Sequence, residues 1–204
     1  DNNCLVKSLA EFNVANNGSA AVNGSYFCPT AYPDCQNSLN YYYYPVYNSR
    51  SGVMINADQM RYPTTGAIVI FDQNNKPYFF RTTTEIQSQD TFEKKYVTKM
   101  QAAIGNSPML VFNGQNILNS NSLDDKQRYT KSSRAAVALK NNTLYFLTGS
   151  NATVVDIAAI LHEMSMEYAL NLDGGGSTAL YYNGAYKTGP GRNIPNALIA
   201  TVVN

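Results

Sequence analysis

The sequence predicts an α+β fold, a largely antiparallel mixed β-sheet with a few helices, in one domain over residues 1–204. Three observations carry this. Short apolar runs joined by Asn- and Gly-rich turns recur along the chain, which is the pattern of hairpins rather than of β-α-β units. Helical periodicity of apolar residues is confined to three stretches. No internal repeat and no linker divides the chain, and its 204 residues suffice for one well-filled core.

The elements follow in order. Residues 3–16 read as a helix, with Leu5, Val6, Leu9 and Phe12 on one face and Gly18 as its stop. Ala20-Ala21-Val22 enters a buried strand that ends at Asn23-Gly24-Ser25-Tyr26-Phe27. Residues 28–50 lack apolar periodicity and read as a surface excursion; the run Tyr41 to Tyr44 suits a strand or contact surface, or stacking on sugars. Ala67 to Phe71 and Pro77 to Phe80 form a hairpin around 72–76. Phe92 to Ile104 reads as a helix ending at Gly105. Met109 to Phe112 and Gln115 to Leu118 pair across Asn113-Gly114, which suits a type I′ turn. Ala135 to Leu139 and Thr143 to Leu147 pair across Lys140-Asn141-Asn142. A capping-box-like start at Thr153, with Asp156 in place of the usual Glu, opens a helix to about Tyr168. Strands at Ala169 to Leu172 and Thr178 to Tyr182 flank a glycine run, Asn183-Gly184 turns the chain, and Ala197 to Val202 is the last strand.

Composition excludes some functions. Net charge is +1 and no basic stripe suggests nucleic acid. No apolar run approaches the roughly 18–20 residues of a membrane span. Charged residues make up only 14%, so surface polarity must come largely from Asn, Gln, Ser, Thr and Tyr, which suits extracytoplasmic proteins and carbohydrate handlers. The start at Asp1-Asn2-Asn3 fits a processed or trimmed end. Three cysteines and one His argue against a structural zinc site. Cys28 and Cys35 flank a turn-rich loop; we expect them to pair, with Cys4 outside the pair, and three ordinary thiols is the competing reading. His162, the only His, falls on the surface of the helix from Thr153.

The candidate site is Asn171-Leu172-Asp173-Gly174-Gly175-Gly176-Ser177. Three glycines directly after a buried strand are unfavourable for backbone entropy, and useful where the chain needs positive φ or close approach to a ligand. Successive N–H groups in such a loop can form a concave anion site. A tight turn capped by Asp173 is the plainer reading. The P-loop is excluded because no Lys follows, and the dinucleotide fingerprint because a strand, not a helix, follows.

This segment resembles the signature of the phosphodiester glycosidase family. Other segments fall in the family's order. Asn23-Gly24-Ser25-Tyr26-Phe27 resembles its Asn-Gly-x-Phe-Phe element, and Pro108-Met109-Leu110-Val111 with Asn113-Gly114 its Pro-x-Leu-Val and turn element. Ser133-Arg134-Ala135-Ala136-Val137 resembles its Pro-Arg-Thr-Ala element, and Arg192-Asn193-Ile194-Pro195-Asn196-Ala197-Leu198 its closing Arg-Pro-Val-x-Asn-Ala-Leu element. Ala135 and Asn193 depart from those patterns, and Gly149-Ser150-Asn151 stands where an Asp-Gly-Arg-like loop is expected.

The resemblance implies hydrolysis of a sugar phosphodiester to a sugar and a phosphomonoester. The implied catalytic residues are Asp173, Arg134 and Arg192, because guanidinium groups match phosphate oxygens and one carboxylate can serve the anomeric carbon. The implied substrate contacts are Asn23, Gly24, Gly174, Gly175, Gly176, Ser177 and Asn196. A glycosidase ordinarily uses two carboxylates. A phosphomonoester leaves readily, its second pKa lying near about 6, so one carboxylate suffices. The expected partner is a sugar-phosphate or glycan substrate, the expected location extracytoplasmic. No cofactor is expected and a divalent cation is not excluded. Two other functions stay open: a non-catalytic carbohydrate- or polymer-binding module on the same fold, and a metal-assisted phosphodiesterase cleaving the P–O bond.

Overall fold

The computed structural model describes residues 4–202. Along the chain run α1 (Leu9–Ala15), β1 (Gly18–Asn23), β2 (Val46–Asn48), β3 (Val53–Ile55), β4 (Ala67–Asp72), β5 (Pro77–Phe80) and α2 (Gln89–Tyr96). Then come β6 (Met100–Asn106), β7 (Met109–Phe112), β8 (Gln115–Asn116), α3 (Asp125–Arg128), β9 (Ser132–Lys140) and β10 (Thr143–Ala152). The chain closes with α4 (Val154–Glu163), β11 (Tyr168–Asn171), β12 (Leu180–Tyr182), β13 (Ala185–Thr188) and β14 (Ala197–Thr201). The strands form three antiparallel sheets, ordered β13-β12-β1-β14, β10-β9-β11-β7-β8 and β3-β2-β6-β4-β5. The fold is α+β in a single domain, as the sequence predicts.

The packing explains why several strands read as continuous apolar runs. The three sheets share a central core, and each carries one helix on its outer side. In β4, Ala67, Val69 and Phe71 face the centre, while Ile68 and Ile70 pack with Phe92 of α2. In β9, Ala135 and Val137 face the centre, while Ala136 and Ala138 pack with Ala158 and Leu161 of α4. In β1, Val22 faces the centre and Ala21 packs with Leu9 of α1. A strand buried on both faces has no polar side to alternate with.

The hairpin turns hold. Asn113-Gly114, Asn141-Asn142 and Asn183-Gly184 all have positive φ at both residues and each joins directly paired strand ends, the geometry of a two-residue type I′ turn.

The structure corrects four element readings. The first helix, read from residue 3, starts at Leu9; Asn3, like the Asp1-Asn2-Asn3 end, lies outside the described residues. Ser8 and Glu11 form a capping box that fixes the start, and Asn17 at φ 51°, not Gly18, turns the chain out of the helix. The helix read over 92–104 ends at Tyr96, because Val97 adopts φ 51° as its cap. Residues 100–106 are then drawn into β6 between β2 and β4. The helix read to Tyr168 stops at Glu163, and Tyr168 already pairs in β11 with Leu139 and Phe112. The excursion over 28–50 contains β2, which with β3 extends the third sheet. Cys28 and Cys35 are bridged with a Cα–Cα distance of 5.3 Å, and Cys4 packs against the central core outside that bridge.

Candidate active site

The site forms where the ends of β1, β9 and β11 converge. Asn23 closes β1, and its fully buried side chain is occupied by backbone. Its Nδ2 donates to the Asp173 carbonyl at 2.7 Å and its Oδ1 accepts the Ala179 N–H at 3.0 Å. The Asp173 N–H donates to the Gly24 carbonyl at 2.9 Å. These bonds pin both ends of the glycine segment to β1. Gly24 is needed for close approach: a Cβ there would strike the Asn196 side chain. Asn196 is buried, and its Oδ1 accepts the Ser25 N–H at 2.9 Å. The structure therefore places Asn23, Gly24 and Asn196 behind the site, not on its surface.

Residues 175–177 make one 3-10 turn, in which Gly175 holds φ 61°. Such a turn leaves its first N–H groups, those of Gly175 and Gly176, without partners inside it. Two guanidinium groups close on this turn. A Cβ on Gly174 would sit 3.0 Å from Arg134 Nη1, and one on Gly176 would sit 2.5 Å from Arg192 Nη2. The glycines serve the approach of two cations as much as the turn.

Arg134 is buried and mostly committed. Its Nε donates to the Ala152 carbonyl at 3.1 Å, and its Nη2 to the carbonyls of Lys126 and Thr130 at 2.8 and 2.6 Å. The Nη1 end remains beside the glycine turn. Arg192 is held through its backbone, which donates to the Gly176 carbonyl at 2.8 Å. Among the described residues its guanidinium makes no protein hydrogen bond; it lies over the Tyr32 ring at 5.7 Å. Lys126 approaches the same ring at 4.7 Å. Tyr32 belongs to the loop that the Cys28–Cys35 bridge closes.

These groups line a cleft of about 390 Å³ that includes Asp173, Gly174, Gly175, Ser177, Arg134 and Arg192. Burial in the cleft pushes the Asp173 carboxyl up from the ordinary 3.8 to about 6. Hydrogen bonding from Ser177 and from the Gly174 N–H (2.8 Å), and the two guanidinium groups, pull it partly back. A carboxyl whose pKa burial has raised, in a cleft that two arginines also line, marks a candidate functional site.

Other residues line the cleft that the sequence does not single out as site residues: Tyr26, Tyr32, Asp124, Lys126, Gln127 and Ser132. One signal was legible. Asp124 followed by Gln127 is a helix N-cap pattern, and Asp124 Oδ1 accepts the Gln127 N–H at 2.7 Å. That cap occupies one oxygen of Asp124. The Tyr26 hydroxyl accepts from Asn171 Nδ2 at 2.7 Å and from Gln127 Nε2 at 3.0 Å. His162 is exposed on α4 and is absent from the cleft lining. The run Tyr41 to Tyr44 is absent from it too; Tyr42 is buried and bridges Phe27, and Tyr44 backs Tyr26 at 6.3 Å. Among the described residues no three His, Cys, Asp or Glu side chains gather closely enough to hold a metal ion.

Comparison with known proteins bears on this arrangement. No curated protein matches the sequence. The fold is similar to that of the catalytic domain of zebrafish N-acetylglucosamine-1-phosphodiester alpha-N-acetylglucosaminidase, auto-inhibited by its pro-peptide. The TM-score is 0.71 and the identity 15%, over 98% of this chain and 68% of that one. It is also similar to a hypothetical protein from Synechocystis, with a TM-score of 0.59 and 16% identity, over 95% of this chain and 53% of that one. At such identities these likenesses show the fold alone. The sequence profile of the phosphodiester glycosidases matches residues 16–201, a span that includes Asn23, Arg134, the glycine turn and Arg192. With a match over most of its length, the chain belongs to the phosphodiester glycosidase family.

Proposed function

We propose that the protein hydrolyses a glycosyl phosphodiester, releasing a sugar and a phosphomonoester. The observation that carries this reading is the buried Asp173 carboxyl in a cleft that Arg134 and Arg192 also line. The substrate's phosphate is a permanent anion. Nη1 of Arg134 and the uncommitted guanidinium of Arg192 suit its oxygens, and the glycine-turn amides suit the charge that grows as it departs. Water attacks the anomeric carbon, the bond from that carbon to the phosphate oxygen breaks, and its electron pair stays on the departing phosphomonoester. The water oxygen becomes the new anomeric hydroxyl, and its remaining proton leaves with the products. Ionised Asp173 serves the anomeric carbon, on which positive charge develops. Asn23 and Gly24 act by holding the glycine segment, and Asn196 by holding Ser25, rather than by touching substrate.

The Cys28–Cys35 bridge and the family fit an extracytoplasmic location, where disulfides persist. Turnover of a panel of sugar phosphodiesters, with and without chelator, tests the reading. We expect release of free sugar in both conditions. Binding without turnover would leave a carbohydrate-binding module. Turnover that stops with chelator and yields a sugar phosphate would leave the P–O phosphodiesterase.

A further inference from the structure

A phenol oxygen has one proton to give and two lone pairs to receive with. At Tyr26 both receiving positions are filled, by Asn171 Nδ2 at 2.7 Å and Gln127 Nε2 at 3.0 Å. The Asn171 amide has a fixed orientation. Its Nδ2 also donates to the Ser107 carbonyl at 3.1 Å, and a carbonyl only accepts. With Asn171 Nδ2 and Gln127 Nε2 at its lone pairs, the Tyr26 O–H is left to donate, and among the described residues it has no protein acceptor. The ring lines the cleft together with Asp173, Arg134 and Arg192. Burial raises the phenol's pKa, so the group keeps its proton at neutral pH. The arrangement is a donor aimed by two amides from different elements, Asn171 on β11 and Gln127 on α3.

We propose that Tyr26 contacts the substrate, giving its O–H as a hydrogen bond to an oxygen of the departing phosphate. This rests on the proposed hydrolysis of a glycosyl phosphodiester. The phosphate carries one negative charge in the substrate and gains a second as the bond to the anomeric carbon breaks. A donor preset against it therefore strengthens through the step, and its effect falls on kcat more than on KM. No proton is transferred from the phenol, which is too weak an acid to protonate a phosphomonoester of second pKa near about 6. Asn171 and Gln127 are positioning residues that act through Tyr26.

Tyr26→Phe isolates the hydroxyl; the Asn-Gly-x-Phe-Phe element that this segment resembles has Phe at this place. Steady-state kinetics on a sugar phosphodiester turned over by the parent should show kcat reduced by about ten- to a hundredfold, the scale of a charge-assisted hydrogen bond, with KM within a few-fold. The thermal unfolding midpoint should stay within a few degrees. Gln127→Ala keeps the phenol but removes one of its two holders, and should lower kcat less, with KM unchanged. A parent protein that turned over no sugar phosphodiester would refute the functional reading itself. An active parent with Tyr26→Phe at parental kcat, or with a loss that tracks unfolding alone, would overturn the role of Tyr26 and leave that reading intact.

Discussion

Asn23 and Asp173 lie 150 positions apart, yet the Asn23 amide donates to the Asp173 carbonyl at 2.7 Å while its oxygen takes the Ala179 N–H. One buried side chain from β1 thus spans the whole glycine segment. Asn23→Ala leaves that carbonyl and that N–H unpaired, at about 1–3 kcal/mol each. We expect a loss of on the order of 2–5 kcal/mol in urea denaturation and a matching loss of activity. A change below about 1 kcal/mol would mean that the loop does not depend on Asn23.

Asp173 should reveal its strain through pH. Burial raises its pKa to about 6, so the folded state binds this proton more tightly than the unfolded chain, where the value is near 3.8. Ionisation therefore costs stability. The penalty is absent below about pH 4, grows as pH rises, and is complete above about pH 6. About two pKa units correspond to roughly 3 kcal/mol. Asp173→Asn should be more stable than the parent at pH 7 by on the order of 2–3 kcal/mol, with the gap closing toward pH 4. Its activity should fall at least about a hundredfold. Equal stability at pH 7 would remove the case for a strained carboxyl.

The two arginines should separate. Arg192→Ala removes a guanidinium with no protein hydrogen bond among the described residues, so we expect about a ten- to hundredfold loss in kcat/KM and little loss of stability. It also removes a cation that lowers the Asp173 pKa, so the ascending limb of kcat/KM, centred near pH 6 in the parent, should move to higher pH. Arg134→Ala strands three carbonyls and should cost several kcal/mol in stability as well as activity. His162→Ala should change neither. An Arg134→Ala protein as stable as Arg192→Ala would contradict the assignment of duties.

The bridge between Cys28 and Cys35 closes a loop of sequence separation 7. Chain entropy gives it about 2–3 kcal/mol. We expect the double change to Ser to lower stability by about that much and to raise KM, because the loop carries Tyr32 against Arg192. Parental KM in the double variant would show that Tyr32 has no part in the cleft.

Particular residues show how far the sequence could be read. Asn113-Gly114 and Asn183-Gly184 announced their hairpins because type I′ turns demand positive φ. Ala102, Ala103 and Ile104 suit a helix, and only pairing with β4 and β2 makes them a strand. β2 and β3 have three residues each, too short for any period to show. In the site, the glycine segment was visible as a local cost without a local benefit. The benefit is the approach of Arg134 and Arg192 from distant segments. Tyr26, Gln127 and Tyr32 were invisible as site residues, since nothing local marks a tyrosine whose hydroxyl accepts from the distant amides of Asn171 and Gln127.

The site of bond cleavage is the central claim, and hydrolysis in isotopically labelled water tests it most directly. We expect the label on the anomeric oxygen of the released sugar and none in the phosphomonoester. Label in the phosphate would place the attack at phosphorus and contradict the glycosidase reading.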